Sequence, residues 1–308
     1  MFSTGRVLLG ALALSQCGCY ILKQAEGQLN ILLHLQPIGE VLADPSVPPE
    51  TKEKLRLIGE IKSFGEREMG LKASNNYTRF YDTEGRPITW LVSACRKDRF
   101  EAYTWWFPIV GRVSYKGFFR RQDALDLALD LIGQGYDVNL TSAAAYSTLG
   151  YFSDPVLSTM LDYPEEHLVS LILHELTHGT IYLPGGTDFN EVMASFVGWQ
   201  GALEFARFRY GPDSPQLKRV KQALEYEERR DARARELFAK LQGLYTSDLA
   251  PAAKIERRDQ VAGVRVNNAA ILMQRRYGRY DQFRAVFDKA GGSWKAFFEA
   301  VRDVRLSE

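Results

Sequence analysis

Residues 171–191 read LILHELTHGTIYLPGGTDFNE, and the fold turns on reading them as a helix, a reversal and a second helix. Around this stretch, EEHLVSLILHELTHGTIY carries Leu168, Leu171, Ile172, Leu176 and Ile181 at the three- and four-residue steps of an amphipathic helix. Pro164 suits the start of that helix, and Pro184, Gly185 and Gly186 stop it. His174 and His178 then stand one turn apart and only about 40° apart around the axis, so both imidazoles leave the same face. That spacing suits two ligands of one ion.

A hydrolytic zinc site takes three protein ligands and keeps a position for water, so the pair needs a third residue. After the glycine turn, TDFNEVMASFVGWQGALEF predicts a second helix, with Thr187 or Asp188 available to cap it. Glu191 lies in its first turn, with enough chain behind it to return to the two histidines. Alone it would be an ordinary acid favoured there by the helix dipole; after HELTH it is the candidate third ligand of one Zn²⁺ ion. Glu175, beside His174, is the candidate general base for a water in the open position. His167 shares the helix face but lies about 10 Å along the axis from His174, too far to join them, and reads as structural. Thr177 and Asn190 are candidates to hold the free imidazole N–H groups, which need partners.

Outward from this centre, the chain of 308 residues is 45% hydrophobic and 25% charged, enough for one large domain or two small ones. Its 39 basic and 38 acidic residues leave a net charge of +1, which excludes a general field drawing it to nucleic acid or to an anionic membrane. No repeat, low-complexity tract or glycine-rich phosphate loop is present. The charged run LKRVKQALEYEERRDARARELFAKLQ interleaves acids and bases and reads as a solvated helix face.

Before HELTH, YTRFY, ITWLVSAC and YTWWFPIV are rich in aromatic and β-branched residues and predict short strands, and YDVNLTSAAAYSTLGYF returns to strand. RRQDALDLALDLIGQG between them predicts a helix. Two earlier helices are expected, one over Tyr20–Leu35 with Ile21, Leu22, Ala25, Leu29, Leu32 and Leu33 apolar, one from Pro48 to about Met69, and these are expected to pair. Beyond Phe189 nearly everything predicts helix. The fold class is α+β: a small, mainly antiparallel sheet, an active-site helix, and a helical C-terminal half. In domain terms, 1–19 is a signal segment and 20–308 the body, with a sheet-bearing half 20–163 and a helical half 164–308.

The first residues, MFSTGRVLLGALALSQCGCYIL, hold an apolar run from Val7 to Leu14 that is too short to span a bilayer and has the form of a secretory signal. LSQCGC resembles a bacterial lipoprotein box. Cys17 has Leu14 three positions before it and is favoured for lipidation; Cys19 follows a suitable Gly18 and stays open. Only Cys95 lies well inside the remaining chain, so no disulfide framework is expected. A lipidated cysteine would tether the body to a membrane without a span.

HELTH followed by Asn190, Glu191, Val192, Met193 and Ala194 as N-E-x-x-A resembles the gluzincins, zinc peptidases whose third ligand is a glutamate on the next helix. QAEGQLNILLHLQPI, FPIVGRVSYKGFF, AYSTLGYFSDPVLSTML and NNAAILMQRRY resemble a family of bacterial aminopeptidases, usually lipoproteins, over nearly the whole mature chain. The resemblance implies His174, His178 and Glu191 as ligands of one Zn²⁺, Glu175 as general base, and a peptide substrate. It further implies a periplasm-facing lipoprotein of the cell envelope, tilted toward the outer membrane because neither cysteine is followed at the second position by Asp. The gap between HELTH and Glu191 is shorter than in well-known gluzincins, and no G-x-M-E-N element for a free amine is present, so the aminopeptidase reading rests on the family alone. The rivals are an exported zinc endopeptidase and a non-catalytic, zinc-stabilised lipoprotein with an assembly role. Tyr146 and Tyr151 are candidates for the oxyanion donor, or else aromatic core residues. Asn267 and Asn268 are candidates for substrate or ligand support, or for capping. Oligomeric state is left open.

Overall fold

The computed structural model describes residues 20, 22–107, 111–142, 153–183, 186–276 and 281–303. In chain order these form helix α1 (residues 22–33), strand β1 (Gln36–Pro37), and helices α2 (Ile38–Ala43) and α3 (Pro49–Arg67). Strands β2 (Arg79–Tyr81), β3 (Trp90–Arg96), β4 (Trp105–Phe107), β5 (Gly111–Val113) and β6 (Lys116–Phe118) follow. After them come helix α4 (Arg121–Gly133) and strands β7 (Tyr136–Ser142) and β8 (Val156–Leu157). The rest is helical: α5 (Glu165–Thr180), α6 (Thr187–Tyr210), α7 (Pro215–Tyr245), α8 (Pro251–Ala262), α9 (Asn268–Arg276), α10 (Asp281–Lys289) and α11 (Trp294–Ala300). The α+β class is therefore as the residue pattern predicts. None of the described helices is long and apolar enough to cross a membrane.

The strands divide into three small sheets instead of the single one expected. In β6–β3–β7 every pairing is antiparallel, β4 and β5 form a hairpin, and in β1–β2–β8 the β2–β8 pair is parallel. Only β3 and β7, at seven residues each, form a long ladder; the strands of the other two sheets are two or three residues long and make short ones. That sheet buries Val92, Ala94 and Phe118 against Ala124, Ala128 and Leu131 of α4. Cys95 lies buried within β3 as a free thiol that burial pushes up to about 12, which keeps it unreactive.

Helix α6 is the centre of the main core. It is apolar on most sides, and Val192, Met193, Phe196, Val197, Ala202 and Phe205 are all buried, the mark of an interior helix. Phe283, Phe287, Trp294 and Phe297 of α10 and α11 surround Phe196 on one side, and α5 packs along another. The α5–α6 approach is set by two glycines. A Cβ added at Gly198 would stand 2.5 Å from the Ser170 carbonyl oxygen and 3.3 Å from His174 Cβ. One added at Gly201 would stand 2.7 Å from Leu173 and from Met69. Because the first obstacle at Gly198 is backbone, Gly198→Ala is expected to force the two helices apart and lower unfolding stability by about 2 kcal/mol. Chemical denaturation measures this, and an unchanged midpoint would refute the close-packing argument.

The expected pairing of the first two helices gives way to a different arrangement. Helix α1 packs against the Gly117–Phe119 segment through Tyr20, Gln24 and Gly27, with Ile31 buried, while Leu22, Leu29 and Leu33 face outward. Helix α3 packs instead on α5, where Gly65 lies against Leu173. The charged helix α7 behaves as read: Arg230–Glu227 (2.9 Å), Arg235–Asp231 (2.7 Å) and Lys240–Glu236 (2.7 Å) pair along it, and Arg284 of α10 reaches Glu228. Such pairs stabilise by at most about 1 kcal/mol each.

A buried polar knot fastens the helical half back onto β3 and β7. Arg258 of α8 grips Asp137 with two hydrogen bonds, of 2.6 and 3.1 Å. Asn268 donates its backbone N–H to Asp137 and its amide to the Arg96 carbonyl, and it accepts from the Tyr245 hydroxyl. Asn267 donates to the Val138 carbonyl and caps α9 through Ala270 N. None of these bonds goes to His174, His178 or Glu191, so the adjacent amides serve capping and inter-element anchoring, the plainer of the two roles open to them.

Candidate metal centre

Helix α5 begins after Pro164 with Glu165 and Glu166 in its first turn, where the dipole favours acids, and ends at Thr180. The reversal to α6 is held by Asn190, whose amide accepts from Leu183 N and donates to Leu183 O, both at 2.9 Å. Asn190 thus closes the turn that delivers Glu191 and gives the imidazoles no bond. Thr177 likewise spends its hydroxyl on the Leu173 carbonyl. The N-cap position of α6 is Gly186, which has no side chain to cap the helix.

The result is a convergence of three ligating groups. His178 Nε2 lies 3.1 Å from His174 Nε2, and Glu191 Oε2 lies 3.3 Å from the first imidazole and 3.7 Å from the second. Two imidazole nitrogens and a carboxylate oxygen so arranged form a group able to hold a metal ion. The spacing tests the fit: nitrogen and oxygen ligands of tetrahedral zinc stand about 2.0–2.2 Å from the ion, which sets the edges of the tetrahedron at about 3.3–3.6 Å. The three observed separations bracket that value. Two Nε2 lone pairs facing each other also repel unless a proton or a cation sits between them.

Electrostatics point the same way. Burial alone would raise the Glu191 carboxyl, but hydrogen bonds from His174 and His178, and their charges, hold it well below the usual carboxylate range. Burial would depress the His178 imidazole, yet the hydrogen bond to Glu191 and the charges of Glu175, Glu191 and Asp154 raise it overall. The protein holds the carboxylate ionised and pulls positive charge toward the same point. His178 Nδ1 is buried and has no hydrogen-bond partner among the described residues, whose contacts to this ring come through packing and its Nε2 side. On the other ring, Ser195 Oγ lies 3.4 Å from His174 Nδ1. Ser195 is one turn after Glu191 on α6, and that four-residue step was the signal in the sequence that could have identified it.

Glu175 lies next to this point on a partly open surface. Burial raises its carboxyl above the ordinary range; His174 and His178 oppose this, and Glu191 and Asp154 reinforce it. Two groups from distant sequence lie within its electrostatic reach. Tyr77 and Asp154 are buried and tied together: Tyr77 N donates to Asp154 O (2.7 Å), and Asp154 N donates to Asn76 Oδ1 (3.0 Å). Tyr77 is held at φ +59°, a left-handed conformation that side chains other than glycine adopt at a cost. Burial drives its hydroxyl well above the usual range, and the charges of Glu175 and then Asp154 add to this, which brings Tyr77 into the electrostatic field of Glu175. Its hydroxyl makes no hydrogen bond among the described residues. Tyr77 opens the YTRFY stretch read as a strand and Asp154 lies in AYSTLGYFSDPVLSTML, which carries part of the family resemblance, but neither was singled out as a site residue.

The remaining histidines stay apart from the centre. His167 packs edge-on against Trp199 with ring centroids 5.3 Å apart, and His34 sits exposed at the end of α1. Tyr146 and Tyr151, and Cys17 and Cys19, lie outside the described residues.

A sequence model of the family described as "Putative aminopeptidase" matches residues 19–263. No curated protein and no solved structure matches the chain.

Proposed function

Because the chain belongs to the family described as "Putative aminopeptidase", we propose that it is a zinc-dependent peptide hydrolase that removes residues from free amino termini. The observation that carries this is the near-tetrahedral spacing of His174 Nε2, His178 Nε2 and Glu191 Oε2 with Glu175 beside them. His174, His178 and Glu191 would hold one Zn²⁺, which when bound supplies a Lewis acid that acidifies water and polarises a carbonyl. Glu175 takes a proton from the attacking water and passes it to the departing nitrogen. A carboxyl raised by its surroundings is matched to both tasks, since it is a stronger base than an exposed glutamate and returns the proton more readily than a lysine would.

Oxygen charge develops on the substrate carbonyl in the transition state and needs a donor. Tyr77 supports that role better than any other described tyrosine: its hydroxyl is unspent, its backbone is fixed through Asp154, and it feels Glu175. Tyr77→Phe is expected to lower kcat by on the order of 10²-fold, with zinc content and KM little changed. A kcat equal to wild type would remove Tyr77 from the mechanism.

The function itself is tested with protein carrying one zinc per chain and two peptides, one with a free amine and one N-acetylated. Cleavage of the free peptide alone, lost on chelation and restored by zinc, is the expected result. Equal cleavage of both would make the enzyme an endopeptidase. No cleavage of either by metal-loaded protein would reduce the centre to a clamp on the α5–α6 pair.

A further inference from the structure

Helix α1 is apolar on two opposite sides. At 100° per residue, Tyr20, Gln24, Gly27 and Ile31 fall within an arc of roughly 60°, while Leu22, Leu29 and Leu33 fall within roughly 40° on the far side. The first arc is the packed one. Tyr20 donates its hydroxyl to the Gly117 carbonyl (2.8 Å), Gln24 donates to the same oxygen (3.1 Å), Gly27 lies flush on Phe119, and Ile31 is 2% exposed. The second arc has no protein against it among the described residues. Leu22 is 70%, Leu29 55% and Leu33 71% exposed, an unusual concentration of large aliphatic side chains on one helix face. Glu26 borders this arc on one side, with Lys23, which pairs with Asp123, farther round, and Ala25 and Leu32 border it on the other.

What covers this face follows from where the chain enters it. Cys17 and Cys19, the two candidates for lipidation, precede Tyr20 by at most three residues, roughly 10 Å of extended chain. An acyl group on either cysteine therefore enters hydrocarbon within about 10 Å of the first turn of α1. At that turn the Tyr20 ring packs on Phe107 of β4 (6.0 Å), which fixes the helix through its inner side. A leucine arc on a helix anchored through its opposite side is the geometry of an interfacial helix lying in the membrane plane.

We infer that the outer face of α1, Leu22, Leu29 and Leu33, is a lipid-contact surface that rests in the bilayer interface once Cys17 or Cys19 is acylated. The body is then held in a fixed orientation and does not hang from a loose tether. The inference is independent of the catalytic reading and survives if no peptide is cleaved.

The test uses the full chain, processed in an exporting bacterial host and reconstituted into phosphatidylethanolamine–phosphatidylglycerol vesicles. A genetically encoded environment-sensitive fluorophore replaces Leu33 or, as a control, Phe208 of α6, which is 66% exposed. At position 33 the emission is expected to shift to the blue on reconstitution and to be quenched at least about twofold by nitroxide-bearing lipids. At position 208 it is expected to do neither. The inference is overturned if the fluorophore at 33 stays in water in vesicle-bound protein. It is equally overturned if that fluorophore is already shielded before lipid is added, which would give the face to residues 1–19 or to a second copy of the chain.

Discussion

Glu175→Gln is expected to retain one zinc per chain and to lower kcat by on the order of 10³-fold, because glutamine preserves the shape of the side chain and can accept no proton. The carboxylate is not among the three converging ligand atoms, so metal affinity should be unchanged. Stability gives an independent control. An acid whose folded pKa is raised binds more protons folded than unfolded, so its contribution falls as pH rises from the ordinary carboxylate range through the raised value. At neutral pH the metal-free wild type carries that penalty for Glu175, and the glutamine variant does not. Its thermal midpoint should therefore equal or exceed that of metal-free wild type. Turnover at the wild-type rate with zinc in place would end the assignment of Glu175 as the base.

Glu191→Ala is expected to empty the centre. The losses that follow removal of a group merely supporting a ligand are about 10–100-fold in affinity, and deleting a ligand itself should exceed them. Without the carboxylate, His174 Nε2 and His178 Nε2 still face each other at 3.1 Å but lose the negative charge that draws a cation between them. Metal analysis after dialysis should find far less than one zinc per chain, with hydrolysis lost in proportion. In the metal-free wild type the same carboxyl, held low by the two imidazoles, contributes stability at neutral pH that is lost as pH falls below the ordinary carboxylate range. The alanine variant should lack that acid-side dependence. Wild-type zinc affinity in Glu191→Ala would mean that another residue completes the site.

The two variants separate the roles, since one is expected to lose chemistry with the metal kept and the other to lose the metal. Much of this arrangement was legible in the residues. The HELTH helix and the helix after it were expected from periodicity and chain breakers, and α5 and α6 are both there, α5 ending at Thr180, two residues before the Tyr182 that the reading included. The proximity of Glu191 to both histidines followed from the need for a third ligand. The charged run of α7 was correctly left as a solvated, self-paired face.

Other readings failed for physical reasons. Asn190 and Thr177 were candidates for the imidazole N–H groups because they are near in sequence, but backbone groups took their side chains: Leu183 N–H and carbonyl, seven residues back, for Asn190, and the Leu173 carbonyl, one turn back, for Thr177. Asn267 and Asn268 attracted attention as amides in a helical region, and their partners proved to be β3 and β7 more than a hundred residues away. The periodicity of the first helix located its apolar residues without distinguishing the arc that meets protein from the arc that does not.

The sequence by itself determined what a helix determines: the four-residue step of two imidazoles, the neighbouring carboxylate and the turn that reverses the chain, all fixed by covalent geometry and local hydrogen bonding. Only the tertiary structure decided how close α5 and α6 come at Gly198 and Gly201, that Ser195 stands beside His174, and that Tyr77 and Asp154 come within electrostatic reach of Glu175. Those distances depend on which side chains interlock between elements far apart in the chain, and no local period encodes that.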